Sequence, residues 1–290
     1  MSKTALLFSG QGAQFSGMGK DYYKHSSQAR QLFDELSQYR DDITSLCFES
    51  SSQNLNFTIN AQPALFATGL AGAFAWTEQN GKKPDCIAGF SLGEIPALVF
   101  CGALSVYDGW RLVCKRAELM QLCAENTNGG MAAVVGLSVD KVIDLVAIVN
   151  QHSNDLWCAN YNSFMQTVVA GDLNAIDKLS NKVSSSGGRL IKLRVSGAFH
   201  CPYMEQAQIG LANFLETLQF NHIDIPLYSN IDGNLYTDKD IKSRVALQLT
   251  SPVRWINIIQ NMQDYGVEQF VEVGAGNVLT GLVNKIVNCN

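Results

Sequence analysis

The sequence predicts an α/β protein in which a large domain is interrupted by a smaller inserted one. Three observations carry that prediction. Short apolar runs at Ala5–Phe8, Cys86–Ala88 and Phe270–Val273 each end in a glycine-containing turn, the pattern of buried strands. The second of these runs into Gly89-Phe90-Ser91-Leu92-Gly93, a serine between glycines on a strand-to-helix turn. Between residues 127 and 196 the rhythm changes to β-α-β-β-α-β, the order of split βαβ, ferredoxin-like modules.

Size and composition agree. The chain has 290 residues, 47% hydrophobic and only 16% charged, enough for a substantial core. A net charge of −5 gives no general basic field for nucleic acid. Eight cysteines lie scattered at positions 47, 86, 101, 114, 123, 158, 201 and 289 without a C-x-x-C pair. They read as reduced thiols of a cytoplasmic protein, with neither a disulfide framework nor a metal site. No apolar run approaches the ~18 residues of a membrane span, and Met1-Ser2-Lys3-Thr4 leads into a strand instead of a signal peptide.

In chain order, Ala5–Phe8 is a strand that runs into Gly10-Gln11-Gly12-Ala13-Gln14. Helical patterns follow at Gln28–Gln38 and Ile43–Glu49. A long helix is expected from near Ala61 to Trp76, with Asn60 as N-cap and Pro63 in its first turn. Leu92–Cys101 and Val106–Glu125 are the next helices, and Asp108, Arg111, Lys115 and Glu118 share one flank of the second. Within the insert, strands are expected at Gly130–Val135, Leu156–Asn160, Gln166–Ala170 and Arg189–Val195, and helices at Val139–Asn150 and Ala175–Ser185. Polar or glycine-rich joints at Thr127-Asn128-Gly129 and Ser196-Gly197 bound it. Then come helix Tyr203–Leu218, strand Ile225–Ser229, helix Val253–Tyr265, strand Phe270–Val273 and a last helix after Gly274-Ala275-Gly276.

The chemistry begins at Ser91. A tight turn with small neighbours pushes Oγ out of the sheet, and the helix that follows offers unpaired N–H groups to an oxyanion. A glycine-bounded turn that merely contains a serine is the alternative. The nucleophile needs a base. His25 and His222 lie in polar, surface-like contexts and His152 follows a helix end. His200, in Ser196-Gly197-Ala198-Phe199-His200-Cys201-Pro202, sits where the insert returns the chain to the large domain, as base or as helix-capping residue. The loop Gly10–Gln14 is not a dinucleotide cradle, because Phe15 stands where G-x-G-x-x-G needs its third glycine, and no G-K-[ST] follows. Arg116 by itself reads more readily as one member of a surface ion-pair series with Asp108, Arg111 and Glu118 than as a carboxylate-binding guanidinium.

Six segments occur together in one order. They are Gly10–Gln14, the serine turn followed by Glu94, Lys115-Arg116-Ala117-Glu118-Leu119-Met120, Gly197–His200, Gln248-Leu249-Thr250-Ser251-Pro252-Val253-Arg254-Trp255, and Glu272–Gly276. In this the whole chain resembles the malonyl-CoA:acyl carrier protein transacylases, including the stand-alone acyltransferases of polyketide synthesis. The resemblance implies an α/β-hydrolase-like large domain over 1–126 and 197–290 with a ferredoxin-like subdomain over 127–196, and an active site in the cleft between them. It implies Ser91 as the nucleophile, His200 as its base, the backbone carbonyl of Gln248 orienting the imidazole, and an oxyanion hole from the N–H groups of Gln11 and Leu92. Gly10 and Gly12 would let the main chain approach the acyl carbonyl.

By the same resemblance Arg116 holds the malonyl carboxylate, Asn160, Asn162 and Gln166 are polar cleft positions, and Ala198-Phe199-His200 matches the malonyl-preferring form of the histidine loop. As hairpin-turn residues, the asparagines have an equally simple explanation. Two residues depart from the family pattern: Phe90 where histidine is usual, which places a phenyl ring in the acyl pocket, and Cys201 where serine is common. The implied reaction moves malonyl from malonyl-CoA to the phosphopantetheine thiol of an acyl carrier protein, with no metal or redox cofactor. An acyl hydrolase or thioesterase on the same scaffold, and a catalytically weak carrier-docking module, are the other readings. For the carrier, Lys192 and Arg194 are expected on one face of the last insert strand, with Lys178 or Lys182 near them.

Overall fold

A computed structural model describes residues 2–288, so Met1 and Cys289 lie outside the described part. Eight strands run β1 Lys3–Phe8, β2 Cys86–Gly89, β3 Gly129–Val135, β4 Leu156–Ser163, β5 Gln166–Asp172, β6 Arg189–Lys192, β7 Leu227–Tyr228 and β8 Val267–Val273. They form two sheets. One is parallel, in the order β7-β2-β1-β8, and the other is antiparallel, in the order β4-β5-β3-β6.

The parallel sheet places the site. β1 lies between β2 and β8 with Phe8 in register with Gly89 on one side and Val273 on the other. Ser9–Gln14, Phe90–Gly93 and Gly274–Gly276 therefore all leave the sheet at its carboxyl edge, where open parallel sheets collect their ligands. β1 and β2 are apolar because helices cover both faces: Leu6, Phe8 and Ile87 pack into one core, and Ala5, Leu7, Cys86 and Ala88 into another. Through the first core runs the helix Thr58–Asn80, buried at every position from Ala61 to Ala73.

The antiparallel sheet has the ferredoxin-like order, and its strands alternate faces. Ala132, Val134 and Val169 pack beneath the helices Val139–Val149 and Leu173–Ser185. Met131, Ala133, Val168 and Ala170 face the other way, onto the core of the large domain.

Several expectations are corrected. The long helix starts one turn early, at Thr58. Phe57, without a side-chain cap, precedes it, and Pro63 sits in the second turn. Asn60 is not the cap: its Nδ2 donates to Asn54 and its Oδ1 accepts from Arg40. Lys20–His25, Ser52–Leu55 and Ile241–Leu247 are short helices that the apolar pattern did not reveal. The last strand of the antiparallel sheet stops at Lys192, so Arg194 is not on its face. Lys192 is paired with Asp177 at 2.6 Å, and Arg194 lines the central cavity.

The serine turn explains its own glycines. A Cβ on Gly89 would lie 1.9 Å from the Gly93 carbonyl carbon, and one on Gly93 would lie 2.2 Å from the Phe8 oxygen. Gly93→Ala is expected to cost about 2 kcal/mol, as overpacking against main chain does, measured by denaturant unfolding. An unchanged midpoint would show that β1 yields at this contact.

Candidate active site

The strand-to-helix turn is a one-turn 3-10 segment, Ser91–Gly93, continued by the α-helix Glu94–Phe100. Ser91 has φ 51° and His200 has φ 59°. They are the two non-glycine residues with positive φ among those described, a conformation costing ~1–3 kcal/mol each that the surroundings must hold in place. Both strained residues belong to one hydrogen bond: Ser91 Oγ lies 2.7 Å from His200 Nε2 across 109 positions of sequence.

The partners of each atom fix the protons. His200 Nδ1 faces two acceptors, the carbonyls of Gln248 at 2.9 Å and Ser251 at 3.2 Å, so it carries the hydrogen and donates. Nε2 is then the lone-pair nitrogen, and the Ser91 hydroxyl donates to it. Burial and the nearby Arg116 charge push the imidazole down to about 4. At neutral pH it is a neutral base already aimed at the hydroxyl.

Arg116 is buried, not part of a surface series, being 1% exposed. The flank it was grouped with pairs separately, Arg111 with Asp108 and Lys115 with Glu118. Arg116 Nη2 donates to Ser91 Oγ at 3.1 Å and to Gln248 Oε1 at 2.9 Å, while Nη1 donates to Gln62 Oε1 at 2.9 Å. Burial lowers its pKa to about 10, which leaves it charged at neutral pH. One serine oxygen thus donates to a base and accepts from a fixed cation.

Gln248 contributes more than its carbonyl. Its amide nitrogen donates to the Ser91 carbonyl at 2.9 Å and to Glu94 Oε2, while its amide oxygen receives Arg116. Asn230, at the carboxyl end of β7, clasps the turn from outside: Oδ1 accepts the Ser91 N–H at 2.6 Å and Nδ2 donates to the Gly89 carbonyl at 2.6 Å. Gln62, Asn230 and the Gln248 side chain were not singled out from sequence. A glutamine beside the proline in the first half of a largely apolar helix, and a polar pair Ser229-Asn230 closing an apolar run, were the available signals.

A cavity of about 450 Å³ opens onto Ser91 and His200, with walls from both sheets. Gln11, Phe90 and Phe199 line it from the large-domain loops, and Asn160, Asn162 and Gln166 from the antiparallel sheet. Asn160 and Asn162 lie within β4 and not in the hairpin turn, and both are buried. The Asn162 Oδ1 is buried without a protein partner. The Phe90 ring packs edge-on against Trp255 at 5.3 Å, so it is braced as one wall.

Gln11, in the loop after β1, lines the cavity, and Leu92 follows Ser91 within the 3-10 turn. The two glycines of that loop serve different ends. A Cβ on Gly10 would meet the Phe90 carbonyl oxygen at 2.4 Å, whereas Gly12 has open space and needs glycine for its φ of 106°. Gly12 therefore needs glycine for its backbone conformation.

The remaining histidines stand apart: His25 bonds the Asp21 carbonyl, His222 pairs with Asp238 on the surface, and His152 is exposed. Cys201 is buried, donates to the Ala198 carbonyl, and is pushed up to about 12 by burial, so it is no rival nucleophile. Among the described residues no group of three His, Cys, Asp or Glu is placed to hold a metal ion. No described helix is long and apolar enough to cross a membrane.

A family model described as acyl transferase domain matches residues 5–288. The chain is similar to the malonyl CoA-acyl carrier protein transacylase of Bacillus subtilis (strain 168), 39% identical over 289 residues, 99% of this chain and 91% of that protein. It is also similar to the polyketide biosynthesis malonyl CoA-acyl carrier protein transacylase BaeC of Bacillus velezensis, 37% identical over 284 residues, 97% of this chain and 96% of that one. Among solved structures, a type II PKS acyl-carrier protein, AntF (holo), in complex with its malonyl-transacylase matches with a TM-score of 0.94. That match is at 34% identity and covers 99% of this chain and 94% of the other.

Proposed function

The chain belongs to the malonyl-CoA:acyl carrier protein transacylase family, and we propose that its Ser91–His200–Arg116 constellation carries that family's reaction. It transfers a malonyl group from malonyl-CoA to the phosphopantetheine thiol of an acyl carrier protein. The single observation that carries the assignment of residues is the Ser91 oxygen, hydrogen-bonded at once to a neutral imidazole and to a buried guanidinium.

The steps follow from those bonds. Ser91 Oγ attacks the thioester carbonyl as its proton passes to His200 Nε2. The new oxyanion is received by the Gln11 and Leu92 N–H groups, and imidazolium is stabilised by the Gln248 and Ser251 carbonyls. The carbon–sulfur bond breaks, the CoA thiolate takes the proton from Nε2, and malonyl remains as a serine ester. In the second half the carrier thiol gives its proton to Nε2 and attacks the ester. Ser91 Oγ then leaves and recovers that proton. No cofactor enters these steps.

Once Oγ is esterified, the Arg116 Nη2 that held it is free to turn to the carboxylate. The two ends of a malonyl ester are close enough for one guanidinium to stand beside both. Asn160, Asn162, Gln166 and Phe199 shape the acyl cavity around them, and Phe90 gives it a dry wall. The hydrolase and docking-module alternatives are set aside: the family's carrier-protein transacylases share the whole chain, and a buried fixed cation suits an acid-bearing acyl group. A cytoplasmic setting belongs to the same proposal.

Mixing the protein with malonyl-CoA, quenching, and weighing the intact chain is expected to show one added malonyl group, mapped to the peptide containing Ser91. Absence of the ester, or a sequential pattern where ping-pong kinetics are expected, removes the assignment.

The pH dependence has a defined sign. His200 must be neutral to act, so acylation by a neutral acyl donor increases as pH rises through the folded pKa of about 4 and is level above it. Acetyl-CoA, whose acyl group has no charge, isolates this limb in a rapid pH-jump assay. A limb near the 6.5 of an ordinary histidine would show that the imidazole is not shielded.

A further inference from the structure

Glu94 is the one carboxylate inside the site, 1% exposed, and the reaction above gives it no task. Its Oε1 accepts the Asn230 N–H at 2.6 Å, and its Oε2 accepts the Tyr236 hydroxyl at 3.1 Å and the Gln248 amide nitrogen. It does not touch Arg116. The Gln248 amide lies between them, oxygen towards the guanidinium and nitrogen towards the carboxylate, so its dipole is aligned with both charges.

We propose that Glu94 is the counter-ion of Arg116 in the free enzyme, held one amide away so that it tempers the arginine's grip on the malonyl carboxylate. The proposal rests on Arg116 being the malonyl clamp. A carboxylate in direct contact would occupy the guanidinium fork and exclude the substrate. No carboxylate at all would leave the cation alone in the dry interior, and an entering malonyl group would then be bound too well. Binding that is as strong in the acyl-enzyme as in the transition state does not speed turnover, and a ping-pong enzyme must let its ester go.

The groups that face Glu94 are few. Tyr236 lies on one side, with Arg244 over its ring at 5.6 Å. Arg244 is itself matched by Asp232 at 3.1 Å and Asp240 at 3.2 Å. Arg116 lies beyond Gln248 on the other side, and His200 hangs from the Gln248 main chain. Burial raises the carboxyl to about 7, against the three donors and Arg116, which hold it down. Its charge therefore changes within the working pH range, where neither the malonyl carboxylate nor His200 titrates.

The sign follows. When Glu94 is protonated, Arg116 is uncompensated and an anionic acyl group is favoured over a neutral one. When Glu94 ionises, that advantage shrinks. In the wild type, the ratio of malonyl to acetyl kcat/KM for acylation is expected to fall about fivefold as pH rises from about 6 to about 8, a modest fraction of the Coulomb energy available at this separation. Glu94→Gln is expected to hold the ratio at its acid-side value throughout and to slow release of malonyl to the carrier thiol. Tyr236→Phe removes a donor to the carboxylate and is expected to move the fall to higher pH.

A wild-type ratio that is flat with pH overturns the proposal without any variant. So does a Glu94→Gln protein in which malonyl and acetyl rates drop equally, the result of a purely structural role. Arg116→Ala run in parallel separates the two ideas. If it keeps the malonyl preference, the clamp reading falls and this one with it. If it loses the preference while Glu94→Gln changes nothing, only the counter-ion proposal falls.

Discussion

Replacing His200 by alanine is expected to slow acylation of Ser91 about a thousandfold, within the range that a positioned general base supplies. The imidazole is the one acceptor for the hydroxyl proton, at 2.7 Å, and Arg116, the other neighbour of Oγ, can only donate. Without His200 the proton has nowhere to go as the carbon–oxygen bond forms. Because His200 has φ 59°, alanine also places an ordinary side chain in a left-handed backbone. His200→Asn is the companion variant, since asparagine tolerates that region and partly fills the space. Both variants should lose the quench-flow burst of acyl-enzyme while keeping their affinity for malonyl-CoA in a binding assay. A burst of undiminished rate in either would show that another group takes the proton.

What the sequence revealed is what the chain carries locally. The glycines around Ser91 are dictated by contacts within the turn and with β1, so the spacing alone pointed to Ser91 as the candidate nucleophile. The β-α-β-β-α-β order is likewise a local rhythm, and it foretold the antiparallel sheet. The long helix at Val106–Glu125 came out as expected, because Ser105 caps it by accepting from the Asp108 N–H.

Other features are decided at a distance. Arg116 sits among charged neighbours in sequence, and only the packing of its helix against the helix Thr58–Asn80 shows that it points inward. Gln248 reaches Ser91 across 157 positions and Asn230 reaches it across 139, so no window of sequence contains either contact. Arg194 and Lys192 erred in the opposite way. Alternation placed them on one strand face, but the strand ended three residues earlier, at Lys192, and Asp177 pairs with the lysine.

The strain at Ser91 and His200 belongs with these distant contacts. A turn that holds a serine at φ 51° persists because Asn230 ties the backbone on both sides of it, to Gly89 and to Ser91 itself. The histidine loop is held the same way, through two carbonyls that follow the helix Ile241–Leu247. One of the three short helices that the apolar pattern missed, Ile241–Leu247, thus leads into the carbonyls that orient His200. Its seven residues are too few to show a hydrophobic period, which is why it went unread.

Arg116→Ala is expected to cut malonyl acylation about a hundredfold while acetyl acylation falls about tenfold or less. Hydrogen bonds to charged groups are worth about 1.5–3 kcal/mol each, and a guanidinium fork gives a carboxylate two. The losses common to both substrates come from the site itself. Gln62 Oε1 and Gln248 Oε1 lose their donor, and Glu94 is left buried without a cation nearby. An isolated carboxylate in that position takes up a proton, which limits the damage to the fold. The ratio of the two rates removes these shared terms, because both acyl groups meet the same altered Ser91. Arg116→Lys keeps the charge but not the fork, and should fall between alanine and wild type for malonyl. Equal losses with the two acyl groups would mean that the guanidinium serves only the serine oxygen, 3.1 Å away, and that the carboxylate is held elsewhere.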